Sequence, residues 1–145
     1  MSSATAAVSQ SYVRFAGCCY LLIIALGLFA ETQVRGSLIV AGDASATAAQ
    51  IGAASTLWRS GIVADLCMQL LDIPIIVLFY LLFKRVNAAL NLAATGFNLI
   101  QTAVLVANKL TLMLPLLLAG SGAYLAAFST EQRDALAYLA IQLHG

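Results

Sequence analysis

The residues from Gly61 to Phe83 form an apolar run long enough to cross a bilayer, and an aspartate, Asp72, stands near its middle. About 20 apolar residues span the hydrocarbon layer as a helix, which satisfies its own backbone hydrogen bonds where no water can. An ionised carboxylate at that depth costs at least a few kcal/mol, so it faces a polar interior or a partner charge. Asp65 lies about two helical turns earlier, so the two carboxylates share a face, and Gln69 lies between them on it. The run therefore calls for a membrane helix with one polar edge, and that edge calls for a second helix to meet it.

Composition places the rest of the chain in the same class. The 145 residues are 62% hydrophobic and 9% charged, against about 45–50% and about 25% in soluble domains. One compact all-α domain over residues 1–145 is expected, a polytopic helical membrane protein with the lipid bilayer as its first partner. The net charge of +1 gives no case for a nucleic-acid partner. Cys18, Cys19 and Cys67 all fall in apolar runs, with no metal-ligand spacing, and read as small buried hydrophobes. No metal and no cofactor are expected.

Along the chain, Met1 to Gln10 reads as a frayed polar tail. A first span is expected over about 12–30, ending at Glu31, and is read as retained rather than cleaved as a signal peptide. Gly42-Asp43 marks a turn and an N-cap for a short external Ala-rich helix, about Ala44 to Leu57. Trp58 and Arg59 read as residues of a membrane interface. The second span is expected over 61–83, with Pro74 inside it, and Lys84-Arg85 closes it. Asn87 can cap a third helix over 88–119, too long for a simple crossing, in which Pro115 offers a break. Ser129 and Gln132 have the spacing of a capping box, which starts a fourth span over 130–145, incomplete at Gly145. Arg14 and Lys84-Arg85 place the N-terminus in the cytoplasm of a cell with an inner (plasma) membrane, by the positive-inside rule.

The third helix carries its own polar stripe: Asn91, Thr95, Asn98, Thr102 and Lys109, flanked by Gln101 and Asn108. A tight antiparallel hairpin pairs residues whose numbers have a nearly constant sum. Setting Phe83 opposite Asn91 brings Asp72 opposite Thr102 and Asp65 opposite Lys109. The two stripes form an internal seam, with an ion pair in its outer third and a carboxylate at mid-depth bonded to Thr102 or Gln101. A slip of two turns would pair Lys109 with Asp72 instead. Polar side chains between spans often serve only as glue, so Asn91, Thr95, Asn98 and Thr102 carry that reading too. Glu31, Arg35 and Arg59 gather toward the same outer side as Asp65 and Lys109, as a solvated rim or a substrate mouth, with the rim the simpler reading.

Three stretches together carry a family resemblance. They are Arg14-Phe-Ala-Gly with Tyr20-Leu-Leu-Ile-Ile and Gly27-Leu-Phe-Ala-Glu31; Val34-Arg-Gly-Ser-Leu-Ile-Val with Gly42-Asp-Ala-Ser-Ala-Thr-Ala; and Ala64-Asp65-Leu with Leu71-Asp72-Ile-Pro, running on to Leu81-Leu-Phe-Lys-Arg-Val-Asn87. The pattern resembles the bacterial multi-pass membrane family catalogued as domain of unknown function 4386. The resemblance implies a helical membrane protein, with further spans after the point where this chain stops, so the chain looks like an N-terminal portion.

Two functional classes follow. A transport or proton-coupled role would use Asp72 as the titrating group. A structural or partner-binding subunit without its own catalysis would use the seam as packing, and leaves room for a homo-oligomer or a membrane partner. An enzyme is the weaker expectation: Asp65 with Asp72 is too sparse for a lipid-processing centre, and His144 alone supports no triad or metal cluster.

Overall fold

The computed structural model describes residues 9–144, all helices and connections with no strand among them. The expected tail lies outside the described residues up to Val8, as does the terminal Gly145. Helix α1 (Gln10–Leu38) starts at Ser9, whose hydroxyl accepts from the Tyr12 amide at 3.2 Å. It does not stop at Glu31. It passes into a π-helical stretch, Phe29–Arg35, and ends with a short α turn, Gly36–Leu38. The two charges that would end a span neutralise each other within that stretch, with Arg35 Nε 2.7 Å from Glu31 Oε2.

Helix α2 (Ala44–Ala53) follows a turn in which Gly42 has φ +78°, a left-handed conformation natural only to glycine. Asp43 caps it, accepting from the Ala46 amide at 2.9 Å. Helix α3 (Ser55–Phe83) begins six residues before Gly61, because Trp58 is drawn inside. Its indole N–H donates to the Leu112 carbonyl at 2.8 Å, so Trp58 is a core residue and not an interface marker.

Asn87 caps helix α4 (Ala88–Leu118) through the Leu90 amide at 3.0 Å. Within α4 the winding tightens to a 3-10 turn at Thr111–Met113, just before Pro115. Proline has no N–H to give and crowds the carbonyl four residues back, which disturbs the turn preceding it. Helix α5 (Thr130–His144) opens on the capping box: Ser129 Oγ accepts from the Gln132 amide at 3.2 Å, and the Gln132 side chain accepts from the Ser129 amide at 2.9 Å.

Helices α1, α3 and α4 are each long and apolar enough to cross a membrane. Helix α3 is central, antiparallel to α1 on one side and to α4 on the other. Large apolar side chains such as Leu21, Leu70 and Phe97 cover the outward faces. The main buried cluster sits at the end away from the 84–87 hairpin, where Val34, Ile51, Trp58, Ile62, Leu112 and Ile141 meet. Helices α2 and α5 pack on each other at that end, and the Gly42 amide donates to Tyr138 Oη at 2.8 Å. A smaller cluster of Ala16, Cys19, Ile75 and Leu78 joins α1 to α3 nearer the hairpin.

One close approach fixes how α1 lies on α3. A Cβ on Gly61 would sit 2.9 Å from Val34 Cγ1, inside normal contact distance, so only glycine admits the π stretch there. Asp65 stands one turn beyond Gly61 on the same face of α3. Arg35 follows Val34 directly. The glycine contact therefore delivers the guanidinium to the carboxylate.

Candidate functional site

Asp65 has no exposed surface, and two cations hold it. Arg35 Nη1 lies 2.7 Å from Asp65 Oδ2, with Nη2 at 3.5 Å from Oδ1. Lys109 Nζ lies 3.4 Å from Oδ1. The carboxylate thus ties α1, α3 and α4 together. Both cations are themselves largely covered, at 12% and 13% side-chain exposure, so Asp65 is their necessary counter-charge. Glu31 also pairs with Arg35, but is 70% exposed.

Helix α5 brings His144 to the same place. Its carbonyl accepts from Asn108 Nδ2 at 3.1 Å, and its Nε2 is 3.0 Å from Lys109 Nζ. An ammonium can only donate, so Nε2 accepts and the ring proton sits on Nδ1. That Nδ1 is buried and has no partner among the described residues. Burial, and after it the charges of Lys109 and Arg35, pushes the His144 pKa below the usual histidine value and favours the neutral ring. A cleft of about 440 Å³ borders the group, with Glu31, Arg35, Lys109 and His144 set against Ile39 and Ile141.

Asp72 has a different setting. It is half-buried, and Thr102 Oγ1 donates to its Oδ2 at 3.3 Å. The same hydroxyl lies 3.0 Å from the Asn98 carbonyl of its own helix, so one hydrogen is shared between two acceptors. Toward the hairpin, buried Asn91 donates to the Tyr80 carbonyl at 2.8 Å.

Asp65 meets Lys109, Asp72 meets Thr102, and the slipped pairing of Lys109 with Asp72 does not occur. Gln69 is half-buried near the seam and makes no side-chain bond among the described residues. Gln101 and Asn98 are exposed, and the Asn98 side-chain amide donates to the Ala94 carbonyl of its own helix, so neither side-chain amide is bonded to Asp72. The rim divides. Arg59 is exposed and apart, whereas Arg35 belongs to the buried network, because α1 continues past Glu31 and carries it inward. His144, set aside from sequence, completes the group. No local signal marks it, since α5 must fold back onto Asn108 and Lys109 to place it.

Residues 15–145 match the family model described as domain of unknown function DUF4386. The chain belongs to that family. The DUF4386 match takes in every residue of the charged cluster and the Asp72 region alike. No curated protein and no solved structure matches the chain.

Proposed function

We propose that this DUF4386 chain is an integral protein of the plasma membrane with a cytoplasmic N-terminus, and that its polar seam carries a proton-coupled transport role centred on Asp72. The observation that supports this is the atom chain from Asp72 through Thr102 to the Asn98 carbonyl. An ionised Asp72 competes with that carbonyl for the single hydroxyl hydrogen. A neutral Asp72 donates its own hydrogen to Thr102 and frees the hydroxyl for Asn98. A proton gained or lost at Asp72 would therefore rearrange the bonding along these same atoms. The neighbouring carboxylate has no such freedom of partners, since Arg35 and Lys109 occupy both oxygens of Asp65.

A second reading has its own support. Asp65 joins three helices at one point, as a structural latch would, and the exposed amides of Asn98 and Gln101 suit contact with a second copy or a membrane partner.

Reconstituted vesicles with an entrapped pH dye separate the two. Under an imposed pH gradient the native chain should carry protons faster than empty vesicles, and Asp72→Asn should abolish the excess while folding normally. Equal flux in both proteins removes Asp72 from the mechanism. Flux no greater than that of empty vesicles leaves the structural reading.

A further inference from the structure

The cleft beside Arg35 and Lys109 holds more donor capacity than its own residues use. Lys109 spends one contact on Asp65 and one on His144, and an ammonium has three hydrogens. His144 Nδ1–H is buried without a partner among the described residues. A buried donor in that state is costly, and an acceptor arriving beside it recovers the cost. Arg35 presents a planar fork suited to carboxylates, and one side of that fork is taken by Glu31.

Glu31 is the informative partner. Its side chain is 70% exposed, while Arg35 is 12% exposed. Ion pairs with an exposed member contribute little, up to about 1 kcal/mol, so such a partner is readily exchanged. Asp65, fully buried, is not exchangeable. The cluster thus has one fixed carboxylate beneath and one replaceable carboxylate at the cleft. We propose that Glu31 occupies the place of an external ligand, and that the cleft binds the carboxylate of a small organic acid.

The bound carboxylate displaces Glu31 from Arg35 Nε and takes a further hydrogen from His144 Nδ1, while Lys109, bonded at the opposite ring nitrogen, contributes its charge. Ile39 and Ile141 face the acid's apolar portion. The cleft's volume of about 440 Å³ lies within the usual range for small-molecule sites. The acid can come from water or from the membrane as a fatty acid, since both present the same head group. This site lies about two turns from Asp72 along α3 and does not depend on proton transfer there. Loss of proton flux in Asp72→Asn leaves it intact.

Calorimetric titration of the purified chain tests the assignment, with hexanoate as the soluble acid in an uncharged detergent. Oleate carried in phosphatidylcholine nanodiscs serves as the membrane-borne acid, and sodium chloride at equal ionic strength and inorganic phosphate serve as controls. At least one acid should bind saturably. Glu31→Gln removes the internal competitor and should bind it about three- to five-fold more tightly. His144→Ala removes a donor and should bind it about ten-fold more weakly. Both substitutions lie at the edge of the cluster, and an unchanged melting temperature in each shows that the fold persists. Hexanoate binding assigns a solute, and oleate binding alone assigns a membrane acid. Absence of saturable binding by both acids overturns the proposal, as does phosphate binding in preference to either, or Glu31→Gln binding no more tightly than the native chain.

Discussion

Asp65 and Asp72 occupy one face of one helix, about two turns apart, in very different chemical surroundings. Around Asp65, three helices converge with two cations, a neutral imidazole and a densely buried apolar cluster. Around Asp72 there is one shared hydroxyl hydrogen. Periodicity determines which face a residue occupies, but what meets that face depends on how other helices arrive. At Asp65 the arrival is forced, because Gly61 lets Val34 within contact distance and Arg35 comes with it. At Asp72, among the described residues, only α4 supplies a side-chain partner. The first carboxylate is therefore suited to holding structure, and the second is held by far fewer contacts.

Substitution by asparagine at each position tests this contrast directly, and the larger effect belongs to Asp65→Asn. Removing that charge leaves Arg35 and Lys109 covered without their counter-charge, and should lower stability by about 3–5 kcal/mol. Thermal unfolding in detergent measures it, and a loss below about 1 kcal/mol would erase the distinction between the two regions. Next is Gly61→Val, which inserts side-chain atoms where a single Cβ already meets Val34 at 2.9 Å. It should cost about 1–3 kcal/mol by overpacking. It should also separate Arg35 from Asp65, so its effect should overlap that of Asp65→Asn in the double variant instead of adding to it.

Only part of this was legible in the sequence. The constant-sum pairing of the hairpin needs only helical rise and a tight turn, so Asp65 with Lys109 and Asp72 with Thr102 followed from residue numbers alone. The role of Arg35 did not. A charge at Glu31 reads as a membrane edge, although an arginine four residues on is also the signature of an ion pair on a continuing helix. Trp58 beside Arg59 reads as an interfacial pair. Its burial depends on an acceptor at Leu112, at the turn that Pro115 disturbs fifty-four positions away. His144 depends on the return of α5, which no local pattern announces.

A smaller test uses pH. The His144 pKa lies below its unfolded value, so the unfolded chain binds more protons in the acid range and native stability falls as pH drops below about 6.5. Melting temperatures from pH 7.5 to 5.5 should fall more for the native chain than for His144→Gln. Matching slopes would remove His144 from the packed region. The smallest expected effect is that of Asp72→Asn on stability. The amide keeps the shape and still accepts from Thr102, so stability should hold within about 1 kcal/mol or rise slightly. A loss comparable to that of Asp65→Asn would mean that the two regions are electrostatically alike.

The chain has a single tryptophan, and its position makes the molecule its own optical probe. Trp58 is 1% exposed, and its indole N–H is bonded to the Leu112 carbonyl. Its emission therefore reports on the junction of α3 with α4 at the packed end. Separation of those helices admits water to the indole and shifts the emission to the red. Asp72 lies roughly 21 Å further along α3 at 1.5 Å per residue, beyond the shell of atoms that the indole senses directly. A proton gained or lost there is dark to this fluorophore, while any rearrangement that travels to the charged cluster becomes visible.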